Sequence, residues 1–244
     1  MRTTRAQWIS TAIALLAVAS ASYAGTIHFS GHTWAVRAAG KGGPGPNEWD
    51  PGNVWVDEKG YLHLKLTQRD GKWHCSEVST QDRLGFGRYE FQVVGRLDQF
   101  DRNIVLGLFN YPTSDVGPDG THEIDIEFAR WGKASAPVGN YTVWPATTKV
   151  RRESRAFAFT LNGDSSTHHF TWSSTNVVFQ SWHGNGEGKA DTFASWIYQP
   201  STPTNWIAQK PMPVHLNLWC FQGQPPSDGK EVEIIVRAFK FTPL

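Results

Sequence analysis

The segment 121–128 places three carboxylates in alternation with three apolar residues. In a β-strand successive side chains point to opposite faces, so Glu123, Asp125 and Glu127 would share one face and the apolar residues the other. Three like charges on one short strand cost folding energy unless one of them keeps a proton or binds a partner. Such a strand can hold a carboxylic acid and a carboxylate side by side at neutral pH, which is the pairing that acid–base chemistry needs.

The spacing of the two glutamates suits chemistry at a sugar. In an extended strand the α-carbons of Glu123 and Glu127 are about 13 Å apart, and each side chain can lean toward the other. Carboxyl separations of about 5.5 Å are then within reach, as in glycosidases that retain anomeric configuration through a covalent intermediate. Two other interpretations stay open for the bare pattern. One is a strand whose carboxylates are simply solvated, and the other is a hard-cation site, for which no flanking ligands are evident.

The first 24 residues predict a secretory signal peptide. Arg2 and Arg5 give a positive start, the segment 8–18 is an apolar core too short to span a membrane, and small residues at 19–24 offer a cleavage site. Residues 25–244 are predicted to form a single domain that is secreted or periplasmic. The net charge of +1 argues against nucleic-acid or membrane partners. The basic residues between positions 149 and 155 are most simply a solvated face.

Short runs of alternating apolar and polar residues predict an all-β fold. Examples are the segments 62–66 and 89–93, whereas no segment of ten or more residues in the mature chain shows helical apolar spacing. This pattern is typical of a two-sheet antiparallel β-sandwich. Gly- and Pro-rich segments separate the runs and predict loops at 40–46, 112–120, 184–188 and 223–229.

Cys75 and Cys220 are the two cysteines of the chain. Export would make a disulfide chemically possible. Strand alternation puts Cys75 on the face of Glu77, whereas Cys220 lies opposite the face of Trp219, so a bond would need a bulge or a twist to align the β-carbons. We therefore expect the unpaired state.

The segment 123–128 resembles the active-site strand of glycoside hydrolase family 16, in the form without a bulge that occurs in bacterial lichenases and plant xyloglucan-active enzymes. Further similar stretches are 75–77 with 85–90, 104–111, 217–219, and Trp49 with 53–54. The resemblance thus spans most of the mature chain. It implies a jelly roll with a concave substrate cleft and retaining, endo-acting hydrolysis of a β-glucan-type polysaccharide. We also expect a monomer that needs no cofactor, with no metal ligand among its site residues.

The family's roles can be carried over residue by residue. The resemblance implies Glu123 as nucleophile, Glu127 as general acid/base and Asp125 as the helper that tunes them. We expect Glu127 to titrate high and Glu123 low, because like charges on one face cannot all ionise. The resemblance and strand alternation together give the substrate-binding candidates, with core packing an open alternative for Trp144. These candidates are Glu77, Phe109, Tyr111, Asn140, Trp144, Trp219 and, less directly, Asn53.

Several positions depart from the lichenase pattern. Ser79 replaces an arginine and Thr121 a tryptophan, which removes a fork of donors and an aromatic wall. Asn47 stands where the family has the disulfide partner of Cys75, and Arg237 where an aspartate often holds a structural calcium. We favour a flat, unbranched glucan with 1,3 and 1,4 linkages. A transglycosylase and a non-catalytic carbohydrate-binding jelly roll stay open as alternatives.

Overall fold

The computed structural model describes residues 23–148, 151–186 and 191–244, and these ranges consist almost entirely of β-strands. The predicted signal peptide lies outside the described residues apart from its last two. The single α-helical turn in these ranges is α1, Pro203–Trp206, and short 3-10 turns occupy Pro51–Asn53, Leu97–Gln99 and Phe221–Gly223. The strands are β1 Tyr23–Phe29, β2 His32–Arg37, β3 Gly40–Gly42, β4 Asn47–Trp49, β5 Val54–Val56, β6 Leu62–Arg69, β7 Lys72–Thr80, β8 Gly87–Val94, β9 Ile104–Asn110, β10 Ile124–Ala129, β11 Gly139–Val143, β12 Glu153–Phe157, β13 Ser165–Trp172, β14 Val177–His183, β15 Thr192–Tyr198, β16 Val214–Cys220 and β17 Val232–Pro243.

The strands form two antiparallel layers that are linked where β6 pairs with β7. One layer has the strand order β1-β2-β7-β16-β9-β10-β11-β12. The other has the order β5-β6-β17-β8-β13-β14-β15. The whole sheet curves nearly into a barrel. The predicted all-β jelly roll is therefore confirmed, and β10 lies inside the first layer, away from its edges.

The core lies between the two layers and follows from the alternation in the sequence. Leu62, Leu64 and Leu66 in β6 have no exposed surface, and the same holds for Tyr89 and Phe91 in β8. Burying an apolar side chain of this size contributes about 1.5–3 kcal/mol relative to leaving it exposed. The apolar face of each strand therefore turns inward, and the polar face of the first layer is left free to build a site.

Two turns show how local sequence places β7. Asp70 and Gly71 join β6 to β7, with φ values of 50° and 72°. A tight hairpin of the type I′ kind needs such values, which an Asp-Gly pair tolerates well. The glycine-rich segment 40–46 was predicted to be a loop, but its first three residues form β3, which pairs with β4. β4 in turn runs parallel to the start of β7.

The two cysteines are buried and unpaired, as expected. The thiol of Cys75 donates to Asn47 Oδ1 at 3.4 Å, so the residue in the place of the family's disulfide partner is indeed its neighbour. A hydrogen bond with Cys220 and burial both raise the pKa of Cys75. The Cys75 thiol therefore stays protonated at neutral pH.

Arg237 occupies a bulge in β17, where the register with β8 shifts between Val236 and Ala238. Its guanidinium lies 5.2 Å from the ring centroid of Tyr61 and donates to the Tyr61 hydroxyl at 3.2 Å. A cation thus takes the place where the family's calcium-binding aspartate is expected. Across the described ranges, none of the helical segments has the length and apolar character needed to cross a membrane.

Candidate active site

Three carboxyl groups lie on the face of β10 that points away from the core. The alternating apolar residues Ile124, Ile126 and Phe128 are fully buried on the opposite face, which fixes the orientation of the strand. β10 begins after His122, whose φ of +63° interrupts the extended run. Glu123 nevertheless stays in register, because its carbonyl oxygen accepts a hydrogen bond from the Trp144 backbone N–H at 2.8 Å. The alternation in the sequence therefore predicted the shared face correctly.

Strand pairing determines what each carboxyl faces. Asp125 lies opposite Phe109 on β9, and Glu127 lies opposite Gly107. A β-carbon at Gly107 would come within 2.5 Å of Asn217 Oδ1, and the Gly107 N–H donates to that same oxygen at 3.1 Å. Glycine at this position, opposite Glu127, therefore lets β9 and β16 approach closely.

Asp125 is the most enclosed of the three acids, with 1% of its surface exposed. Its Oδ2 accepts a hydrogen bond from Trp144 Nε1 at 2.8 Å. Its Oδ1 is buried and has no partner of normal hydrogen-bond geometry among the described residues. Burial first, and then the negative charge of Glu123, raise the pKa of Asp125 well above its usual value. Asp125 therefore holds its proton more tightly than a free aspartic acid.

The two glutamates also bind protons tightly. Burial is the largest cause that raises the pKa of Glu123, to about 8, and the charges of Glu127 and Asp119 add to it, while a hydrogen bond with Asp125 acts in the opposite direction. Burial and the charge of Asp125 raise the pKa of Glu127 well above its usual value. In the described part of the chain no group donates a hydrogen bond to the Glu127 carboxyl. The expectation that Glu123 titrates low is thus wrong, because burial outweighs the proton that Asp125 shares with it.

A second charged cluster lies further along the same face, on β16, β7 and β2, and β9 separates it from β10. Glu77 on β7 accepts from Arg37 Nη1 at 2.6 Å and from His215 Nδ1 at 2.9 Å. Burial alone would raise the pKa of Glu77, but His215 and Arg37 together lower it. The Arg37 guanidinium also lies 3.9 Å from the Trp49 ring centroid. A β-carbon at Gly42 would come within 2.6 Å of Arg37 Nη2, so glycine makes room for the guanidinium.

This cluster corrects the expectation that the cleft lacks a donor fork. Both oxygens of Glu77 are engaged by Arg37 and His215, so Glu77 has little capacity left to accept hydrogen bonds from a sugar. The remaining N–H groups of Arg37 can donate to a ligand, and Nε2 of His215 can also form a hydrogen bond. Ser79, which stands in place of the family's arginine, is 4% exposed. Arg37 supplies a guanidinium from the neighbouring strand instead.

An aromatic pair borders the acids on the β9 side. The rings of Phe109 and Tyr111 are 6.1 Å apart in an edge-to-face arrangement, and His215 lies 5.3 Å from Phe109. The Tyr111 hydroxyl donates to Asp119 at 2.7 Å. The structure therefore brings both predicted aromatic residues to the face that carries the acids.

Three other predicted contacts are less available to a ligand. Asn53 is 2% exposed. Its side-chain amide donates to the His74 carbonyl oxygen at 2.8 Å and accepts from the Thr67 hydroxyl at 3.0 Å. The prediction that Asn53 binds substrate is therefore wrong, and its role is structural. Asn140 donates to two backbone carbonyl oxygens at 3.1 Å, which leaves only its own oxygen free. Trp219 is 7% exposed and packs with the core, so it offers little ring surface for stacking.

Three residues near the acids were missed by the sequence reasoning. His215 is two positions before Asn217 on β16, so the alternation that selected Trp219 could have found it. Arg37 had no local signal, because only the pairing of β2 with β7 brings it to Glu77. Arg152 was taken as part of a solvated face, yet its guanidinium lies 4.7 Å from the Trp144 ring centroid.

The site consists of carboxyl groups, a guanidinium, an imidazole and aromatic rings. In the described ranges, no group of three or more His, Cys, Asp and Glu side chains is arranged to hold a metal ion. The three carboxyl groups, all with raised pKa values, can together transfer a proton and attack an electrophilic carbon within one cleft. The fold and the site together define a jelly roll with a carboxylate-bearing cleft.

Solved structures with this fold include several β-glucanases, among them enzymes of glycoside hydrolase family 16. No protein-family model and no curated sequence matches the chain. A β-glucanase of Bacillus licheniformis superposes with a TM-score of 0.64 at 20% identity over 90% of this chain and 99% of its own. A family 16 endo-glucanase from Bacteroides ovatus gives 0.62 at 13% identity over 86% and 94%. A pseudo β-1,3-glucanase of Mycobacterium tuberculosis gives 0.63 at 19% over 86% and 91%.

Proposed function

We propose that this protein is an exported member of glycoside hydrolase family 16 that cleaves a β-glucan by a retaining, endo-acting mechanism. The observation that carries the proposal is the carboxylate face of β10, where Glu123, Asp125 and Glu127 lie together and all bind protons more tightly than free carboxyl groups. A binding module has no need for such a costly arrangement. The fold alone does not decide the matter, since the solved structures that share it include a pseudo glucanase.

In the first half of the reaction, the ionised Glu123 attacks the anomeric carbon of the bound sugar. The glycosidic C–O bond breaks, and Glu127 gives its proton to the leaving oxygen. The product is a glycosyl ester on Glu123 and an anionic Glu127. Asp125 keeps its proton and donates a hydrogen bond to the Glu123 carboxylate, which stabilises the ionised nucleophile before attack.

In the second half, water replaces the departed chain. Glu127 takes a proton from the water while the water oxygen attacks the anomeric carbon, and the ester bond to Glu123 breaks. Glu127 is then protonated again, and Glu123 is again a carboxylate. Two successive displacements at the same carbon retain its configuration.

The donors and aromatic rings around the acids favour a neutral, flat glucan chain. Phe109 and Tyr111 can lie against the apolar faces of sugar rings, while Arg37 and His215 can donate to hydroxyl groups. The family 16 endo-glucanase of Bacteroides ovatus was solved with a glucan-type ligand, G4G3G-2F-DNP. These points support a glucan with 1,3 and 1,4 linkages as the proposed substrate.

Export is part of the proposal and rests on the leader-like N-terminus. The pairing of β1 with β2 is regular from Gly25 onward, with a register shift before it. Cleavage after Ala21 or Ala24 would therefore leave the regular part of β1 intact. N-terminal sequencing of protein recovered from culture medium and periplasm would test this step.

The test of the activity uses purified residues 25–244 with mixed-linkage glucan, laminarin, xyloglucan and agarose, and the products are sized. We expect oligosaccharides from mixed-linkage glucan. Glu123→Gln and Glu127→Gln should each lose at least about a thousandfold in kcat, whereas Glu58→Gln, at an exposed turn, should retain full activity. Binding of glucan without any cleavage would refute the hydrolase and favour the carbohydrate-binding module. Longer products formed at high acceptor concentration would favour the transglycosylase.

A further inference from the structure

Trp144 is tied to the catalytic strand at two points. Its backbone N–H donates to the Glu123 carbonyl oxygen at 2.8 Å, and its indole N–H donates to Asp125 Oδ2 at 2.8 Å. The ring is half-buried, and its six-membered part also approaches the turn at Gly120. The indole therefore has a fixed position relative to the acids, which sets it apart from an aromatic residue that only lines a cleft.

The hydrogen bond from Trp144 decides where the proton of Asp125 resides. An indole N–H can only donate, so Asp125 Oδ2 must accept and cannot carry a proton toward the ring. A protonated Asp125 therefore holds its proton on Oδ1, which is buried and lacks another partner of normal geometry among the described residues. Glu123 is the neighbouring acid on the same face of the strand, and after burial it is the group that raises the pKa of Asp125 most. A proton on Oδ1 is therefore available to the nucleophile.

Arg152 holds Trp144 from the solvent side of the site. Its guanidinium carbon lies 4.7 Å from the ring centroid, a favourable cation–π distance. In the part of the chain that the structure describes, Arg152 has no carboxylate within ion-pair distance. Its positive charge lowers the pKa of Glu123, Asp125 and Glu127, against the effect of burial. Arg151 is also exposed and has the same charge, but no ring contact of its own in the described ranges.

We propose that Trp144, held in place by Arg152, is a positioning residue that fixes the proton of Asp125 on Oδ1, where it is donated to Glu123. The inference deepens the proposed function and rests on it in one respect, namely that Glu123 is the nucleophile. Without the indole N–H, Asp125 could turn, and its proton could go to water or to a substrate hydroxyl. The other titratable or charged groups around this pair are Glu127 on β10, Tyr111 with Asp119 bonded to it, His215 on β16, and Glu77 beyond it on β7.

The experiment compares Trp144→Phe and Arg152→Gln with the matched control Arg151→Gln. The first readout is the titration of the Glu123 and Asp125 carboxyl carbons by NMR in ¹³C-labelled protein, which does not depend on activity. We expect Trp144→Phe to raise the pH at which Glu123 titrates by about one unit, and Arg152→Gln to shift it in the same direction by less. Arg151→Gln should leave both titrations unchanged.

The second readout is kcat and KM on mixed-linkage glucan as a function of pH. Trp144→Phe should lower kcat about tenfold on the acidic side, recover as the pH rises, and change KM less than about twofold. An unchanged Glu123 titration in Trp144→Phe would overturn the proposal. A rise in KM together with an equal loss of kcat at every pH would also overturn the proposal, because it would mean that Trp144 contacts the sugar directly. If Trp144→Phe does not fold, the Glu123 titrations of Arg152→Gln and Arg151→Gln are compared instead, and equal titrations in these two variants would overturn the proposal. An inactive parent protein would refute the hydrolase, whereas the carbon titrations would still test where the proton resides.

Discussion

Replacing Glu123 by glutamine should stabilise the folded protein while abolishing its turnover. The folded state raises the pKa of Glu123 from its ordinary value of 4.5 to about 8, chiefly through burial. The unfolded chain has no such burial, so it loses this proton near the ordinary value. Glutamine has nearly the same size and never ionises, so it removes the cost of holding a carboxyl group among Asp125 and Glu127.

The magnitude follows from the two pKa values and their sign. Between 4.5 and about 8 the folded state binds a proton that the unfolded state has released, so the free energy of unfolding falls as the pH rises. The slope is about 1.4 kcal/mol per pH unit, which amounts to about 3 kcal/mol by neutral pH. Glu123→Gln should recover this amount at neutral pH and almost nothing in mild acid, where the glutamate is protonated in both states.

The assay is urea unfolding followed by tryptophan fluorescence at three pH values, about 4, 5.5 and 7, spanning the two pKa values. Glu77→Gln is the matched control with the opposite sign, because His215 and Arg37 lower the pKa of Glu77. Its removal leaves the Arg37 guanidinium, whose side chain is 10% exposed, without its partner, so it should destabilise the protein by about 3 kcal/mol at neutral pH. That deficit should stay nearly constant between the two higher pH values and shrink only below the ordinary value of 4.5, where the unfolded chain keeps the proton of Glu77 while the folded parent protein does not.

The two variants should thus move apart as the pH rises. Glu58→Gln, on the exposed turn, should follow the parent protein at every pH. The reasoning would be refuted if Glu123→Gln were no more stable than the parent at neutral pH, or if its gain were the same at all three pH values. A gain without pH dependence would point to packing, since only a titrating group produces the slope.

Three further outcomes are expected on mixed-linkage glucan. Asp125→Asn removes a carboxyl group whose ionised form raises the pKa of Glu127, so the alkaline limb of kcat/KM against pH should move to lower pH and the maximum should fall; superimposable profiles would make Asp125 a bystander. The first-formed reducing end should be the β-anomer in proton NMR, and an initial α-anomer would mean inversion. Arg37→Lys keeps the charge beside Glu77 but loses the planar fork, so KM should rise about tenfold with kcat nearly unchanged; an unchanged KM would exclude Arg37 from binding.

The parts of this structure that depend on alternation could be predicted from the sequence. The two-residue period of the apolar residues in β6, β8 and β10 is enough to assign them to the core. The same period places Glu123, Asp125 and Glu127 on one face, and Phe109 with Tyr111. Two-residue periodicity within a strand thus explains most of what the sequence analysis had right.

The parts that depend on which strands are neighbours could not be predicted in this way. Arg37 and Glu77 are forty positions apart, and nothing in either segment indicates that β2 pairs with β7. Trp219 faces the expected side, but the packing around it leaves 7% of its surface exposed. The titration of Glu123 follows from burial, which depends on the elements packed around it and is not encoded in the spacing of the acids.

The distribution of charge along the first layer explains how the fold tolerates this site. Three acids on one strand would repel one another if all were ionised, and the structure reduces this repulsion by burial, which favours protonated carboxyl groups. Arg152 acts on the acids from one side, across the ring of Trp144. Arg37 lies on the opposite side, where Glu77 already neutralises it. The nearer cation is exposed to solvent, which weakens its effect on the acids, and the farther one is paired with Glu77. Burial therefore outweighs both cations, and the pKa values of all three acids stay raised.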